Sequence, residues 1–520
     1  MTLATDNREK MDDETLTGAM ERVFVSYKDK TAIVFGHDQL SYGDLDRISA
    51  RFAHKFSEMG LGRGDRVAVR LGKGMAMVFV YLACLRLGAV MLPLSPLYSL
   101  DEVKYFLSDS EARLLIADPA MRPEVDPLSE EIPHLEQILY LDPSGGPWMS
   151  HASGSPFCLP LPVRPQDGAI MLYTSGTTGP PKGCIMTQKS TVTNLRALHQ
   201  AWGITAADRL MHVLPMNHGH GLYVAFTGCL IAGCFIFMKE RFEPEAVLQD
   251  MERHQLTLFM GVPTHYHRFV QMPRQECIHL SSVRLFISGS APLPEGLFIR
   301  FHEVYGHRVL ERYGMTEIGI HISNPLEGER LPGKVGFPLA GTKARVVDRK
   351  KRTPVGSGRP GELEVKGPNV FSGYWKKLKE TQESFTWDGW FKTGDMAEVD
   401  DQGRFRIVGR VKDLIISGGL NISPFEVEQV INAYPGVLES AVIGVADRDF
   451  GEKVVAYMVL KDPRNPPSLE AIQDTCKQRL ASYKKPKEIH FLKTLPRNSM
   501  GKVEKTVLRL HYADMARSMT

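Results

Sequence analysis

The densest run of chemistry-bearing residues lies at 171–183, MLYTSGTTGPPKG. An apolar, strand-like stretch at 169–173 leads into Thr174, Ser175, Gly176, Thr177 and Thr178, and Gly179 and Lys182 follow. Glycines let backbone N–H groups approach an anion closely, hydroxyls add donors, and a lysine adds charge. The run is therefore suited to wrapping a polyphosphate. It is not the loop of the common nucleotide triphosphatases, because no Gly-Lys-Ser/Thr occurs in the chain, and a Gly-x-Gly-x-x-Gly dinucleotide fingerprint is missing from this run. Two histidine pairs, His218 with His220 and His265 with His267, invite a metal reading. Two imidazoles without a third His, a Cys or an Asp make a poor site, so no metal is assigned to them.

The elements that must carry this loop alternate. Short apolar runs at 66–71, 89–92, 114–117, 137–141, 234–238, 256–260 and 284–288 read as strands, and helical stretches such as 75–87 and 244–254 lie between many of them. That alternation predicts α/β layers with substantial parallel sheet. After about residue 334 the texture changes to short strands broken by Gly and Asp (343–347, 361–365, 396–399, 405–408), a smaller β-rich subdomain. From about 411 a helix (424–433), two strands (439–445, 454–460) and another helix (469–481) predict a small α+β domain. With 520 residues and roughly 100–200 per domain, several units are expected.

Composition excludes several classes. A net charge of +3 gives no electrostatic reason to expect nucleic acid as a partner. The seven cysteines form no CxxC pair, so neither a disulfide framework nor a zinc site is expected, and a reducing, cytoplasmic compartment fits. The first sixteen residues lack an apolar core and carry acidic groups, unlike a signal or transit peptide. The apolar stretch 75–94 contains Arg86, Gly88 and Pro93 and reads as a buried helix and strand rather than a transmembrane span.

YTSGTTGxPKG at 173–183 resembles the phosphate-loop signature of the adenylate-forming superfamily: acyl-CoA synthetases, peptide-synthetase adenylation domains and beetle luciferases. Further matches follow in family order along nearly the whole chain: SGSAPL (288–293), ERYGMTE (311–317), WFKTGD (390–395), GRVKD (409–413), SGGLN (417–421) and PRNSMGK (496–502). The resemblance implies a large N-terminal domain, 1–410, and a small mobile C-terminal domain, 411–520. The implied cofactors and substrates are ATP, Mg²⁺, coenzyme A and a carboxylic acid. Ser288, Ser290, Ala291 and Pro292 would wall the adenine and acyl pockets. Glu311, Arg312, Tyr313, Gly314 and Met315 would belong to the nucleotide site, with Tyr313 on adenine and Met315 also facing the acyl group. Thr316 would contact the α-phosphate and Glu317 would help hold Mg²⁺. Asp395 would bind the ribose hydroxyls, a task suited to a carboxylate because it accepts two hydrogen bonds. Arg410 would contact the nucleotide, Lys412 would be the hinge, and Gly418 and Gly419 would line the thiol path. Lys502 would bridge the acid and the α-phosphate, offsetting the repulsion between two anions as they react. Read alone, Glu317 is a surface charge, Gly394-Asp395 a turn and Lys502 a solvated lysine. Gln188 stands where many relatives have His, and Leu420 where many have a charged residue.

For the acid, HVLP-x5-HGL (212–222), GVPT-x-Y (261–266), RLFISGSAPL (284–293) and LPRNSMGK (495–502) resemble malonyl-CoA synthetases. His220 and Met315 are the expected pocket residues with Ser288. A dicarboxylate needs a cation for its distal group, because a buried lone carboxylate costs several kcal/mol. Arg268 is the expected partner and Arg284 the weaker one. No aspartate suited to an amino-acid ammonium stands near 212–222, and no carrier module follows Thr520, which favours a free-standing CoA ligase. Asn217 and Gly219 differ from the malonate enzymes and leave methyl-substituted malonates open. Two alternatives remain at this level: a medium-chain or aromatic acid–CoA ligase, and a non-catalytic nucleotide-binding protein.

Overall fold

The computed structural model describes residues 14–146, 163–174, 180–272, 279–418, 420–497 and 503–518. Ser175, Gly176, Thr177, Thr178, Gly179, Gly419 and Lys502 lie outside the described residues. The chain divides into two compact units, Met1–Lys343 with Val365–Phe391, and Ala344–Glu364 with Lys392–Thr520.

The first unit contains two sheets. One has six strands in the order Gln137–Tyr140, Leu114–Ala117, Arg66–Arg70, Val90–Pro93, Gly168–Thr174, Lys182–Thr187. Its first five strands are parallel and the last pair is an antiparallel hairpin. The other has nine strands: Phe337–Pro338, Gly319–Ser323, Leu310–Met315, Leu285–Ser288, Leu258–Gly261, Arg209–His212, Phe235–Met238, Thr31–Phe35 and Asp38–Ser41. Its centre, from Leu310–Met315 to Thr31–Phe35, is parallel. Parallel strands buried on both faces need unbroken apolar text, which is what runs such as LFIS and LFMG supply.

The helix Met75–Leu87 is apolar on every face and every one of its residues is buried. Its only ionic residue, Arg86, is satisfied by Ser49 Oγ at 2.9 Å and by the Asp46 carboxylate. Gly88, at φ +65, ends the helix in the left-handed conformation that glycine adopts without a Cβ clash. The stretch is thus a core helix, and among the described residues no helix is long and apolar enough to cross a membrane.

The second unit holds most of the four-stranded sheet Lys343–Val347, Gly361–Lys366, Phe391–Val399, Phe405–Arg410. It also holds a five-stranded sheet around the long hairpin Val437–Asp447 and Gly451–Leu460. The helices Pro424–Asn432 and Leu469–Arg479 pack Val427, Ile431 and Ile472 onto that hairpin's Val442, Val454 and Ala456.

Candidate active site

The topology marks where a ligand belongs. From Arg209–His212 the chain passes to Phe235–Met238 on one side, then crosses back to Leu258–Gly261 on the other. Ligands of open parallel sheets bind beyond the carboxyl ends of strands at such a reversal. His212, Gly261 and Ser288 stand at those carboxyl ends.

Basic and unsatisfied groups gather there. Arg312 is only 5% exposed, and its Nε and Nη2 have no hydrogen-bond partner among the described residues. The same holds for His212 Nδ1, His220 Nε2 and Ser288 Oγ, all buried. Buried polar groups are nearly always paired, so a set of unpaired ones points to a ligand. The Arg312 guanidinium rests against Gly289, where a Cβ would lie 2.3 Å from its Cζ, so only glycine admits it. Burial lowers its pKa to about 10, with Tyr266 opposing the shift.

Burial, followed by the neighbouring Arg312, pushes His220 well below the usual imidazole range. Burial and then Lys73 do the same to His212. His265 falls to about 4 through burial and then Arg268. Arg312, Lys73 and Arg268 are thus the cations whose charge adds to the effect of burial on these imidazoles. The segment carrying His220, Gly219–Thr227, winds as a π-helix, a geometry frequent at functional sites. Gly221 permits it, since a Cβ there would stand 1.9 Å from the Pro215 carbonyl oxygen. His220 Nδ1 and Ser290 Oγ are hydrogen-bonded at 3.2 Å, and Ser290 holds φ +69, a strained value for a residue with a Cβ.

Several expected residues are placed differently. Arg268 is exposed, because Tyr266 and Phe269 take the core-facing side of the helix Pro263–Gln271. Arg284 is bound to Asp208, with Nε–Oδ1 and Nη2–Oδ2 both 2.7 Å, and to the carbonyls of Trp202 and Gly203. It therefore braces the strand start. Arg312, expected with the nucleotide, sits among His220, Tyr266 and Gly289. Glu311, expected there too, accepts a hydrogen bond from Leu293 N at 2.8 Å and holds the turn after Ser288. Pro294 precedes the helix Glu295–Tyr305, and Ser290, Ala291 and Pro292 are exposed. Lys73, Tyr374 and His212 went unassigned in the sequence.

At the phosphate loop, Thr174 and Lys182 face each other across the hairpin. Lys182 lies 5.1 Å from the centre of the Tyr374 ring. The strand Leu310–Met315 folds back onto Gly319–Ser323, and Gly314 allows the contact because a Cβ would meet the Gly319 carbonyl oxygen at 2.1 Å. Thr316 and Glu317 are at this bend. Glu317 is buried and its Oε1 accepts from the Tyr374 hydroxyl at 2.9 Å. Tyr313 is buried beside Met315 in the same strand, with its hydroxyl 3.9 Å from the Met315 sulfur.

In the second unit, Asp395 is 4% exposed and pairs with Arg410 at 3.0 Å across adjacent strands. Gly394, at φ +69, lies inside the strand Phe391–Val399, so Gly394-Asp395 is an irregularity within a strand rather than a free turn. Burial, then Arg410, lowers the Lys412 pKa. Gly418, at φ +57, donates its N–H to the Phe450 carbonyl at 2.8 Å.

Comparison with known proteins agrees with this geometry. Residues 20–375 match the model for AMP-binding enzymes and 426–502 the AMP-binding enzyme C-terminal domain. The chain belongs to the AMP-binding enzyme family, the adenylate-forming acyl-CoA synthetases. It is 34% identical to the mitochondrial malonate–CoA ligase ACSF3 of Xenopus laevis, over 94% of this chain and 90% of that protein. It is 35% identical to a sulfoacetate–CoA ligase of Cupriavidus necator, over 92% and 93%. Among solved structures, ATP-bound MatB from Rhodopseudomonas palustris superposes with a TM-score of 0.90 at 39% identity, covering 96% of this chain and 99% of that one.

Proposed function

We propose that the protein is an ATP-dependent acid–CoA ligase whose acid is malonate or a related small dicarboxylate. The observation that carries the substrate class is Arg312: a buried guanidinium whose Nε and Nη2 have no partner among the described residues, at the carboxyl ends of the central strands, with Lys73 and Arg268 acting on the neighbouring imidazoles. A distal carboxylate satisfies both its charge and its donors, and a bidentate pair fits the guanidinium fork. A monocarboxylate with an apolar tail leaves the guanidinium unpaired at the substrate's end.

In the first half-reaction the acid's carboxylate oxygen attacks the α-phosphorus of ATP and pyrophosphate leaves. The carboxylate is already ionised at neutral pH, so no base is needed, in keeping with Gln188 at its position. Thr174 to Gly179 and Lys182 are assigned to the leaving phosphates, Thr316 and Lys502 to the reacting oxygens, Tyr313 to adenine, and Asp395 with Arg410 to the ribose side. Glu317 fits Mg²⁺, a hard cation that binds through carboxylate oxygen; it would hold the ion, whose charge would offset that of the leaving pyrophosphate. In the second half-reaction the CoA thiol attacks the acyl carbonyl and AMP leaves, with Gly418 and Gly419 assigned to the thiol's path. The hinge at Lys412, the domain limits 1–410 and 411–520 and a cytoplasmic location are part of the same reading.

The test is CoA-dependent release of pyrophosphate from ATP across malonate, methylmalonate, sulfoacetate, acetate, butyrate, octanoate and a hydroxycinnamate. The expected result is preference for an acid with a distal anion. A preference for octanoate or the cinnamate refutes the dicarboxylate reading and leaves the ligase chemistry standing. Sulfoacetate is included because a guanidinium also binds a sulfonate, and a relative is a ligase named for it.

A further inference from the structure

The segment 371–375 touches both halves of the phosphate machinery of the first unit. On one side, Phe371 N donates to the Glu317 carbonyl at 2.7 Å and the Tyr374 hydroxyl donates to Glu317 Oε1 at 2.9 Å. On the other, Tyr374 forms an antiparallel bridge with Cys184, and Trp375 N donates to the Gly183 carbonyl at 2.8 Å. Those partners are the two residues after Lys182, and the Lys182 ammonium stands over the Tyr374 ring at 5.1 Å. The indole Nε1 of Trp375 anchors the segment further, to the Asp109 carbonyl at 3.0 Å. One side chain thus meets the carboxylate through its hydroxyl and the loop lysine through its ring face. The two contacts use opposite properties of a phenol: an acidic O–H that binds an anion, and a π-face that attracts a cation.

We propose that Tyr374 is a positioning residue that fixes Glu317 relative to Lys182, so that the metal and the polyphosphate bind as one coupled unit. The proposal rests on the assignment of Glu317 to Mg²⁺ made above. Partners that orient a metal-binding carboxylate typically contribute 10- to 100-fold (~10–100) to metal affinity. A tyrosine that only packs, against Phe371 at 4.8 Å between ring centres, has no such effect, because phenylalanine packs equally well.

The experiment is calorimetric titration of ATP into the wild type, Tyr374→Phe, Glu317→Gln and the double variant, each with excess Mg²⁺ and with EDTA. Removing one oxygen from a half-buried ring keeps the packing and the contact with Lys182. The expected result for Tyr374→Phe is roughly tenfold weaker ATP binding with Mg²⁺ and unchanged binding in EDTA. In the Glu317→Gln background the same substitution costs nothing further. An equal loss in EDTA, or no loss with Mg²⁺, overturns the proposal. If Glu317→Gln weakens Mg²⁺-dependent binding while Tyr374→Phe leaves it intact, Tyr374 alone is refuted. If Glu317→Gln also binds as the wild type does, the metal assignment beneath the proposal is refuted with it.

Discussion

Replacing Arg312 by Gln separates the acyl-pocket placement of this residue from a nucleotide one. If its guanidinium meets the distal carboxylate of the acid, the variant leaves that carboxylate buried without a partner. Losing one member of a buried ion pair costs about 3–5 kcal/mol. At about 1.4 kcal/mol per tenfold, and with other cations nearby to recover part of the loss, kcat/KM for malonate falls roughly 10²–10³-fold. Butyrate, with no distal charge, changes severalfold at most. Stability moves the other way. Burial lowers the Arg312 pKa to about 10, and neutral pH lies below both that value and the higher one of a free guanidinium, so the charged form works against the fold throughout the usual range. A shift of that size corresponds to roughly 3 kcal/mol. Gln removes that penalty while losing some packing, so Tm should hold or rise. The assays are pyrophosphate release with the two acids and thermal unfolding without ligand. An equal loss for malonate and butyrate means that Arg312 serves the nucleotide and refutes the reasoning. A Tm drop of many degrees refutes the claim that the residue is kept at the expense of the fold.

Three further outcomes are expected. Lys502→Ala lowers acyl-AMP formation by roughly 10²–10³-fold while sparing thioester formation from supplied acyl-AMP, checked by running the two half-reactions separately. Arg284→Ala breaks the bidentate pair with Asp208, whose side chain is 5% exposed against 31% for Arg284. The cost lies between those of exposed and buried pairs, about 2 kcal/mol by denaturant unfolding, with KM for malonate unchanged. His321 is fully buried, its Nε2 bonded to the Lys343 carbonyl at 2.9 Å, and burial lowers its pKa from 6.5 to about 4. The unfolded chain therefore takes up this proton below about pH 6.5 while the folded one does not until about pH 4, so stability falls as pH drops across that window. His321→Asn should flatten the decline in Tm between pH 7 and pH 4.5, and an unchanged slope counts against the burial argument.

What the sequence disclosed and what it withheld divide along the range of the interactions. The helix at 75–87 was readable from apolar text interrupted only by Arg86, and it is observed at Met75–Leu87. The strands expected at 114–117 and 343–347 appear with the same limits, since alternation and turn residues are local signals. Strand order is another matter. The crossing from Phe235–Met238 back over Arg209–His212 to Leu258–Gly261 creates the reversal in strand order, and no local pattern announces it. Arg268 was favoured because a cation beside GVPT looked well placed in one dimension, yet the core-facing Tyr266 and Phe269 turn it outward. The signal that was available lay in Glu311-Arg312. Successive residues of a strand face opposite sides, so two adjacent charges in an interior strand put a charge into each packed layer. Each then needs a partner. Glu311 has one in Leu293 N, whereas Nε and Nη2 of Arg312 have none among the described residues. Tyr374 left no comparable trace, because its two contacts lie 57 and 192 residues away in sequence.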